Sequence, residues 1–137
     1  MYVLKYDKPQ WDKVAEQIHH LVFDEFRPSS LNRIDFALVV WKDVDPIGYV
    51  TCRETDSESI YISFGGVMPE NRNSENSKAG MEVILSYLKE HYKRANMLVE
   101  NTNIFMLKKA LNIGFLPVGI ANYRGSIFVD LRYEWGK

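Results

Sequence analysis

The sequence lacks most of what marks a secreted or membrane-bound chain. Among its 137 residues there is one cysteine, Cys52, so no internal disulfide can form and a disulfide-stapled scaffold is excluded. No apolar run approaches the roughly 20 residues that a membrane-spanning helix needs. The first residues, 1–6, are too short and too polar for a signal peptide. We therefore expect no membrane partner, and we expect the cytoplasm as the compartment.

An excess of charge of one sign is also lacking. The chain carries 17 Lys and Arg residues against 18 Asp and Glu residues, which gives a formal net charge of -1. No basic run is present, and a nucleic-acid partner is not expected because such proteins carry a basic patch or stripe. The spacing of the 3 histidines and the single cysteine resembles no zinc motif, so no metal site is predicted.

What the sequence does contain is enough apolar material for one core. Hydrophobic residues make up 46% of the chain and aromatic residues 13%, which excludes a disordered chain with few aromatics. No internal repeat, low-complexity tract or Gly/Ser linker divides it. We therefore predict a single domain over residues 1–137.

Hydrophobic periodicity predicts alternating strands and helices. The predicted strands are 2–6, 35–42, 47–54, 60–67, 97–100, 116–123 and 127–133, and the predicted helices begin at Pro9, near Ser77 and near Asn103. Strand 60–67 is the most apolar, as expected at the centre of a sheet, and Gly65 and Gly66 near its end indicate a bulge or a close backbone approach. The only helical crossover joins this strand to 97–100, which makes that pair parallel.

The fold class is therefore α/β, with a mixed, mostly antiparallel central sheet flanked by helices. Three segments carry a resemblance. Residues 67–72 combine valine, proline, an acidic residue and Arg72 where a strand passes into a loop; Asn103 precedes a closing Gly114-Phe115 pair; and residues 47–50 place a glycine in the third strand. In their order along the chain, and over nearly its whole length, these segments resemble the GNAT family, the GCN5-related N-acetyltransferases, and the resemblance implies a divergent member.

The resemblance implies a GNAT-like fold and an acyl-CoA-dependent N-acetyltransferase. Acetyl-CoA would be the co-substrate, and the amine of a small molecule or peptide would attack its thioester directly. The chemistry would lie where the central strand passes into the helix near Ser77, because a helix N-terminus favours phosphate. The implied cofactor-binding residues are Val67, Arg72, Asn73, Ser77, Lys78 and Asn103.

The chain departs from the family pattern at two places. Glu75 and Ser77 occupy the usual glycine positions of the phosphate-binding loop, and Glu75 brings a negative charge toward the pyrophosphate. Ala110 occupies the position of the tyrosine that commonly protonates the leaving thiolate. Glu100, at the end of the 97–100 strand, is the closest carboxylate to serve as a base, with Glu54 and Asp56 as weaker options. Tyr123 and Tyr61 are possible proton donors, and Glu100 and Tyr123 are the candidate catalytic residues.

Two alternatives remain open from the sequence. The chain can instead be a catalytically degenerate GNAT-fold protein that serves as a binding, structural or regulatory module.

Cys52 lies within a strand and is expected in the core rather than as a nucleophile, because no histidine is placed beside it. An exposed hairpin or strand edge could also pair two copies of the chain as a homodimer.

Overall fold

The structure is a computed structural model that describes residues 1–23, 34–67 and 75–135. Within these ranges, no helix is long and apolar enough to cross a membrane. The elements in chain order are β1 (Tyr2–Asp7), α1 (Lys8–Phe23), β2 (Phe36–Lys42), β3 (Asp45–Asp56), β4 (Ser59–Val67), α2 (Glu75–Lys89), β5 (Arg94–Glu100), α3 (Ile104–Ile113), β6 (Leu116–Tyr123) and β7 (Ser126–Glu134).

The strands form one sheet of seven strands in the order β1-β2-β3-β4-β5-β7-β6. Every pair is antiparallel except β4 with β5, which are parallel and are joined through α2. The predicted mixed, mostly antiparallel sheet flanked by helices is therefore confirmed, with the apolar strand β4 at its centre.

Helices cover both faces of the sheet and divide the core in two. On one face α1 packs Trp11, Ala15 and Ile18 against alternate residues of β2 and β3, among them Val39 and Tyr49. On the other face, the apolar side of α2 packs against the central strands, and Leu88 is fully buried there. Burying a leucine side chain contributes about 1.5–3 kcal/mol, so these helix faces hold the sheet in place.

The helix and strand boundaries follow the predicted ones with small shifts. α2 ends at Lys89, and beyond it the Tyr92 N–H donates to the Leu88 carbonyl in a final turn at 2.9 Å. The last hairpin turns at Arg124 and Gly125, which have positive φ values of 49° and 82°. Two such residues form the turn whose twist matches that of the flanking strands.

The close backbone approach predicted at Gly65 and Gly66 is present, and a bulge is also present nearby, at Ser63. Cys52 of β3 pairs with Ile62 and Thr51 pairs with residue 64, so Ser63 is the extra residue of a β-bulge. The close approach lies further on, where a Cβ atom on Gly48 would stand 2.5 Å from the carbonyl oxygen of Gly66. Glycine is therefore required where β3 passes the end of β4.

Candidate active site

The central feature of the molecule is a gap between β4 and β5. The parallel ladder runs only from Ser59 and Arg94 to Ile62 and Met97. Beyond this point β4 turns through its bulge at Ser63 and stays with β3, while β5 continues on β7. The two central strands therefore separate at the end of the sheet where α2 begins.

The gap opens into a cavity of about 310 Å³ on the side of α2 and α3. Its wall combines the end of β4, the first turns of α2, the end of β5 and the inner face of α3. The lining residues used below are Ser63, Val67, Ser77, Leu98, Glu100, Asn103 and Lys109. The cavity thus lies at the junction of strand and helix where the sequence predicts the chemistry.

The cofactor-binding residues predicted on the β4 side divide into three groups. Val67 and Ser77 line the cavity. Lys78 is exposed on α2 and is not among the lining residues, and Arg72 and Asn73 lie outside the described residues. The structure therefore brings two of these five side chains to the cavity.

Ser77 contributes a buried hydroxyl to the wall of the cavity, and this hydroxyl has no hydrogen-bond partner among the described residues. The residue is 3% exposed. It lies in the first turns of α2, a helix of 15 residues whose terminal N–H groups carry partial positive charge. A buried hydroxyl without a partner is costly, so this site suits a ligand with hydrogen-bond acceptors. Glu75, the first residue of α2, is exposed and is not among the lining residues.

Asn103 and Ala110 define the α3 side of the site. Asn103 is the N-cap of α3, and its side-chain oxygen accepts from the Met106 N–H at 3.2 Å while the residue lines the cavity. Ala110 lies on the buried side of α3 and is fully buried in the core. A methyl group there packs well and can donate no proton.

Two ionisable side chains, Glu100 and Lys109, line the same cavity. Glu100 ends β5 and is exposed, which agrees with its predicted place beside the separating strands. Lys109 precedes Ala110 on α3, and its Nζ lies 5.7 Å from the centroid of the Phe105 ring. Burial of the side chain lowers the pKa of Lys109. Sequence reasoning missed this residue; it could have been found by asking which neighbours of Ala110 share the inner face of α3.

Tyr123 lies away from this group. It ends β6 at the tip of the last hairpin, is 60% exposed, and stacks with the Arg124 guanidinium 5.3 Å from its ring centroid. It is not among the residues that line the cavity. The structure therefore joins Glu100, but not Tyr123, to the candidate site.

Cys52 is fully buried in the core between the sheet and α2, as the sequence predicts. Burial, with a smaller contribution from Asp35, raises the pKa of its thiol far above the ordinary value. A buried thiol in this state is a poor nucleophile, so the structure gives Cys52 a packing role.

Comparison with known proteins places this geometry in a known fold. No family model and no curated protein matches the sequence. Among solved structures, a GNAT-family acetyltransferase from Bacillus cereus superposes with a TM-score of 0.72 at 19% identity, covering 98% of this chain and 97% of that one. The ribosomal-protein-S18-alanine N-acetyltransferase from Escherichia coli superposes with a TM-score of 0.74 at 9% identity, covering 96% and 92%.

A third structure, a GNAT-family acetyltransferase from Elizabethkingia anophelis, has acetyl-CoA bound. It superposes with a TM-score of 0.62 at 15% identity, covering 90% of this chain and 82% of that one. The chain therefore has the fold of the GNAT acetyltransferases, and the fold expected from the resemblance is confirmed.

Proposed function

We propose that this protein is an acyl-CoA-dependent N-acetyltransferase that takes acetyl-CoA as co-substrate. The observation that carries the proposal is the cavity between β4 and β5, which ends at the first turn of α2 with the Ser77 hydroxyl, a group without a hydrogen-bond partner among the described residues. An extended pantetheine arm can run along the end of β4 as an added strand would. The pyrophosphate then meets the N-terminus of α2, where N–H groups and the helix dipole favour an anion.

The end of β5 and the inner face of α3 would supply the groups for transfer. The nitrogen of an amine attacks the thioester carbonyl, the C–N bond forms, the C–S bond breaks, and one proton passes from nitrogen to sulfur. Glu100 can accept the proton of the amine, directly or through water. The ammonium group of Lys109 can stabilise or protonate the thiolate, a role that Ala110 cannot fill.

The proposal is tested first by binding of acetyl-CoA, measured by calorimetry on the unaltered chain and on two charge-matched variants. Glu75→Gln removes a carboxylate from the first turn of α2, and Glu82→Gln removes one from its exposed middle. A separation of seven positions places Glu82 about 10 Å further along the helix. We expect Glu75→Gln to bind about two- to fivefold more tightly at low salt, and Glu82→Gln to change little, since charges act mainly within a Debye length of about 10 Å.

Two results would contradict this proposal. One is the absence of acetyl-CoA binding in all three proteins, and the other is equal binding changes in the two variants. Absence of binding would mean that acetyl-CoA is not the co-substrate. Equal binding changes in the two variants would mean that the phosphates bind elsewhere than at the N-terminus of α2.

One observation favours a second candidate, a GNAT-fold module that binds without turnover. Ala110 is fully buried at the position of the proton donor, so the chain keeps the packing of α3 without the phenol. Release of CoA thiol in the presence of an amine panel separates the two candidates. Binding of acetyl-CoA with no amine-dependent thiol release would favour the module.

A further inference from the structure

A second cleft, of about 600 Å³, lies on the opposite face of the sheet from α2 and α3. Its floor consists of alternate residues of β3, β4, β5 and β7, while the residues between them, such as Ile60, Ala95 and Leu131, point into the core on the other side. The acetyl-CoA cavity and this cleft are therefore separated only by the thickness of the sheet.

Four adjacent strands place their side chains in one row across the floor of this cleft. In register, Arg53 pairs with Tyr61, Tyr61 with Asn96, and Asn96 with Arg132. Each of these side chains offers N–H or O–H groups, and the two arginines carry planar donors suited to a carboxylate. We call these four side chains the donor row.

The charges around the donor row are only partly neutralised. Arg94 donates to the Ser59 hydroxyl at 2.9 Å and lies 3.7 Å from Glu58. Arg132 lies 3.7 Å from Glu134, but its buried Nε has no hydrogen-bond partner in the described part of the chain.

Among the described residues, three charged side chains that line the cleft have no ion-pair partner within 4.0 Å. Asp56 accepts from the Glu58 N–H at 2.8 Å in the turn before β4, and the other two are Arg53 and Asp130. Arg53 stacks on Tyr61 at 5.3 Å and, within residues 1–23, 34–67 and 75–135, has no carboxylate within 4.0 Å. Asp130 accepts from the Asn96 amide at 3.2 Å and, over the same residues, has no cation within that distance. A ligand that carries both a positive and a negative group would complement Arg53 and Asp130.

Asp130 also marks where the cleft meets the gap between β4 and β5. It pairs across the sheet with Leu98, and Leu98 lines both the cleft and the acetyl-CoA cavity. Both residues lie beyond the last rung of the parallel ladder, Ile62 with Met97. A group held by Asp130 therefore stands next to the opening through which the thioester is reached.

We propose that this cleft binds a free amino acid as the acetyl acceptor. Its carboxylate would lie on the donor row between Arg53 and Arg132, and its amine would lie beside Asp130 and face the gap. The Arg53 guanidinium lies 5.3 Å from the ring of Tyr61 on the next strand, and Asp130 contacts Asn96, the residue that pairs with Tyr61, so the two charges approach each other from β3 and β7. The inference rests on the proposed acetyl transfer, in which the amine nitrogen forms the new C–N bond and its proton is taken up as CoA leaves.

The kinetic test compares free amino acids with the corresponding amines that lack the carboxylate, at saturating acetyl-CoA. We expect Arg53→Gln to raise KM about tenfold or more for the amino acids and to leave KM for the amines unchanged. Lys89→Gln, which removes the same charge at the end of α2 away from the cleft, is the matched control and should change neither. Equal effects of Arg53→Gln on both substrate series would overturn the inference.

A binding test separates this inference from the proposed function. The chain without acetyl-CoA is titrated with amino acids while NMR follows the amides of β3, β5 and β7. Shifts centred on Arg53, Asn96 and Arg132 that disappear in Arg53→Gln support the cleft even if acetyl-CoA does not bind. The absence of such shifts, in a chain that binds acetyl-CoA, would reject the amino acid site alone. Turnover of peptide N-termini but not of free amino acids would also reject it.

Discussion

At the scale of single residues, Lys109 is the most consequential side chain that the sequence did not single out. It lines the cavity beside the buried Ala110, and burial lowers its pKa from the ordinary value of 10.5. A lysine with a lowered pKa gives up its proton more readily than an exposed one. This property suits a group that protonates a departing thiolate.

We expect Lys109→Met to lower kcat for acetyl transfer about 100-fold, within the range for loss of a general acid. The binding of acetyl-CoA should change much less, because the cavity wall keeps its apolar stem. Steady-state kinetics and calorimetry measure the two effects separately. Lys108→Met is the control, since Lys108 is exposed and is not among the lining residues.

The pH profile gives an independent readout of the same residue. The charged form is the proton donor, so kcat should fall as the pH rises through the lowered pKa of Lys109. This alkaline limb should lie below 10.5, the ordinary value for lysine, and should vanish in Lys109→Met. A limb that is unchanged in the variant would assign proton transfer to another group.

At the scale of elements, the close passage of β3 against β4 sets the shape of the cavity. Gly48→Ala would bring a Cβ to 2.5 Å from the Gly66 carbonyl oxygen, and real structures do not tolerate such contacts. We expect this variant to lose about 1–3 kcal/mol of unfolding free energy, the usual cost of overpacking. Urea denaturation with an unchanged m-value measures the loss.

Gly119→Ala is the matched control for that prediction. Gly119 lies within β6, and a Cβ there would have nothing within 4 Å. Its unfolding free energy should stay within about 0.5 kcal/mol of the unaltered chain. Equal losses in both variants would mean that the passage between β3 and β4 can widen, and would contradict the contact described here.

The elements themselves were largely predictable from the sequence, and the reasons are local. Strand β6 has its predicted bounds, and the others shift by one to three residues, because alternation and turn residues act over short distances. The position of the bulge was not predictable. The sequence pointed to Gly65 and Gly66, but the extra residue is Ser63. Its position is set by the register of β4 against β3, which no local pattern encodes.

At the scale of the whole molecule, the sheet ends in a strand with an exposed apolar side. β6 is one of the two edge strands of the described sheet, and Leu116, Val118 and Ile120 are 61%, 47% and 77% exposed. The outer edge of β6 has no neighbour among the described strands, and a second copy could pair with it about a two-fold axis.

We expect the chain to associate with itself through β6 in a concentration-dependent way. Val118→Lys should shift the equilibrium to monomer, because a charge on an edge strand opposes pairing. Sedimentation equilibrium of the two proteins measures the effect, with Val44→Lys, an exposed valine in the turn before β3, as the control. A chain that is monomeric at all concentrations would contradict this expectation.

The candidate site was predictable only in part, because some of its residues are brought together only by the arrangement of the whole sheet. Val67 and Ser77 were predicted where β4 passes into α2, Glu100 and Asn103 were predicted where β5 passes into α3, and all four line the cavity. The donor row could not be found in the same way. Arg53, Tyr61, Asn96 and Arg132 are distant in sequence, and only the register of four strands sets them side by side.

The short parallel ladder has a consequence for the motion of the molecule. The sheet consists of two antiparallel blocks, one formed by β1 to β4 and the other by β5, β7 and β6. Within the sheet, the blocks are joined by the rungs of the parallel ladder from Ser59 to Ile62. At the base of this ladder, two N–H groups also donate to the Glu58 carbonyl. We expect such a seam to act as a hinge, so that the gap widens and narrows at the end of the sheet where β4 and β5 are unpaired. Amide protons along the seam should exchange with deuterium sooner than those within either block, and a ligand spanning the gap should slow them.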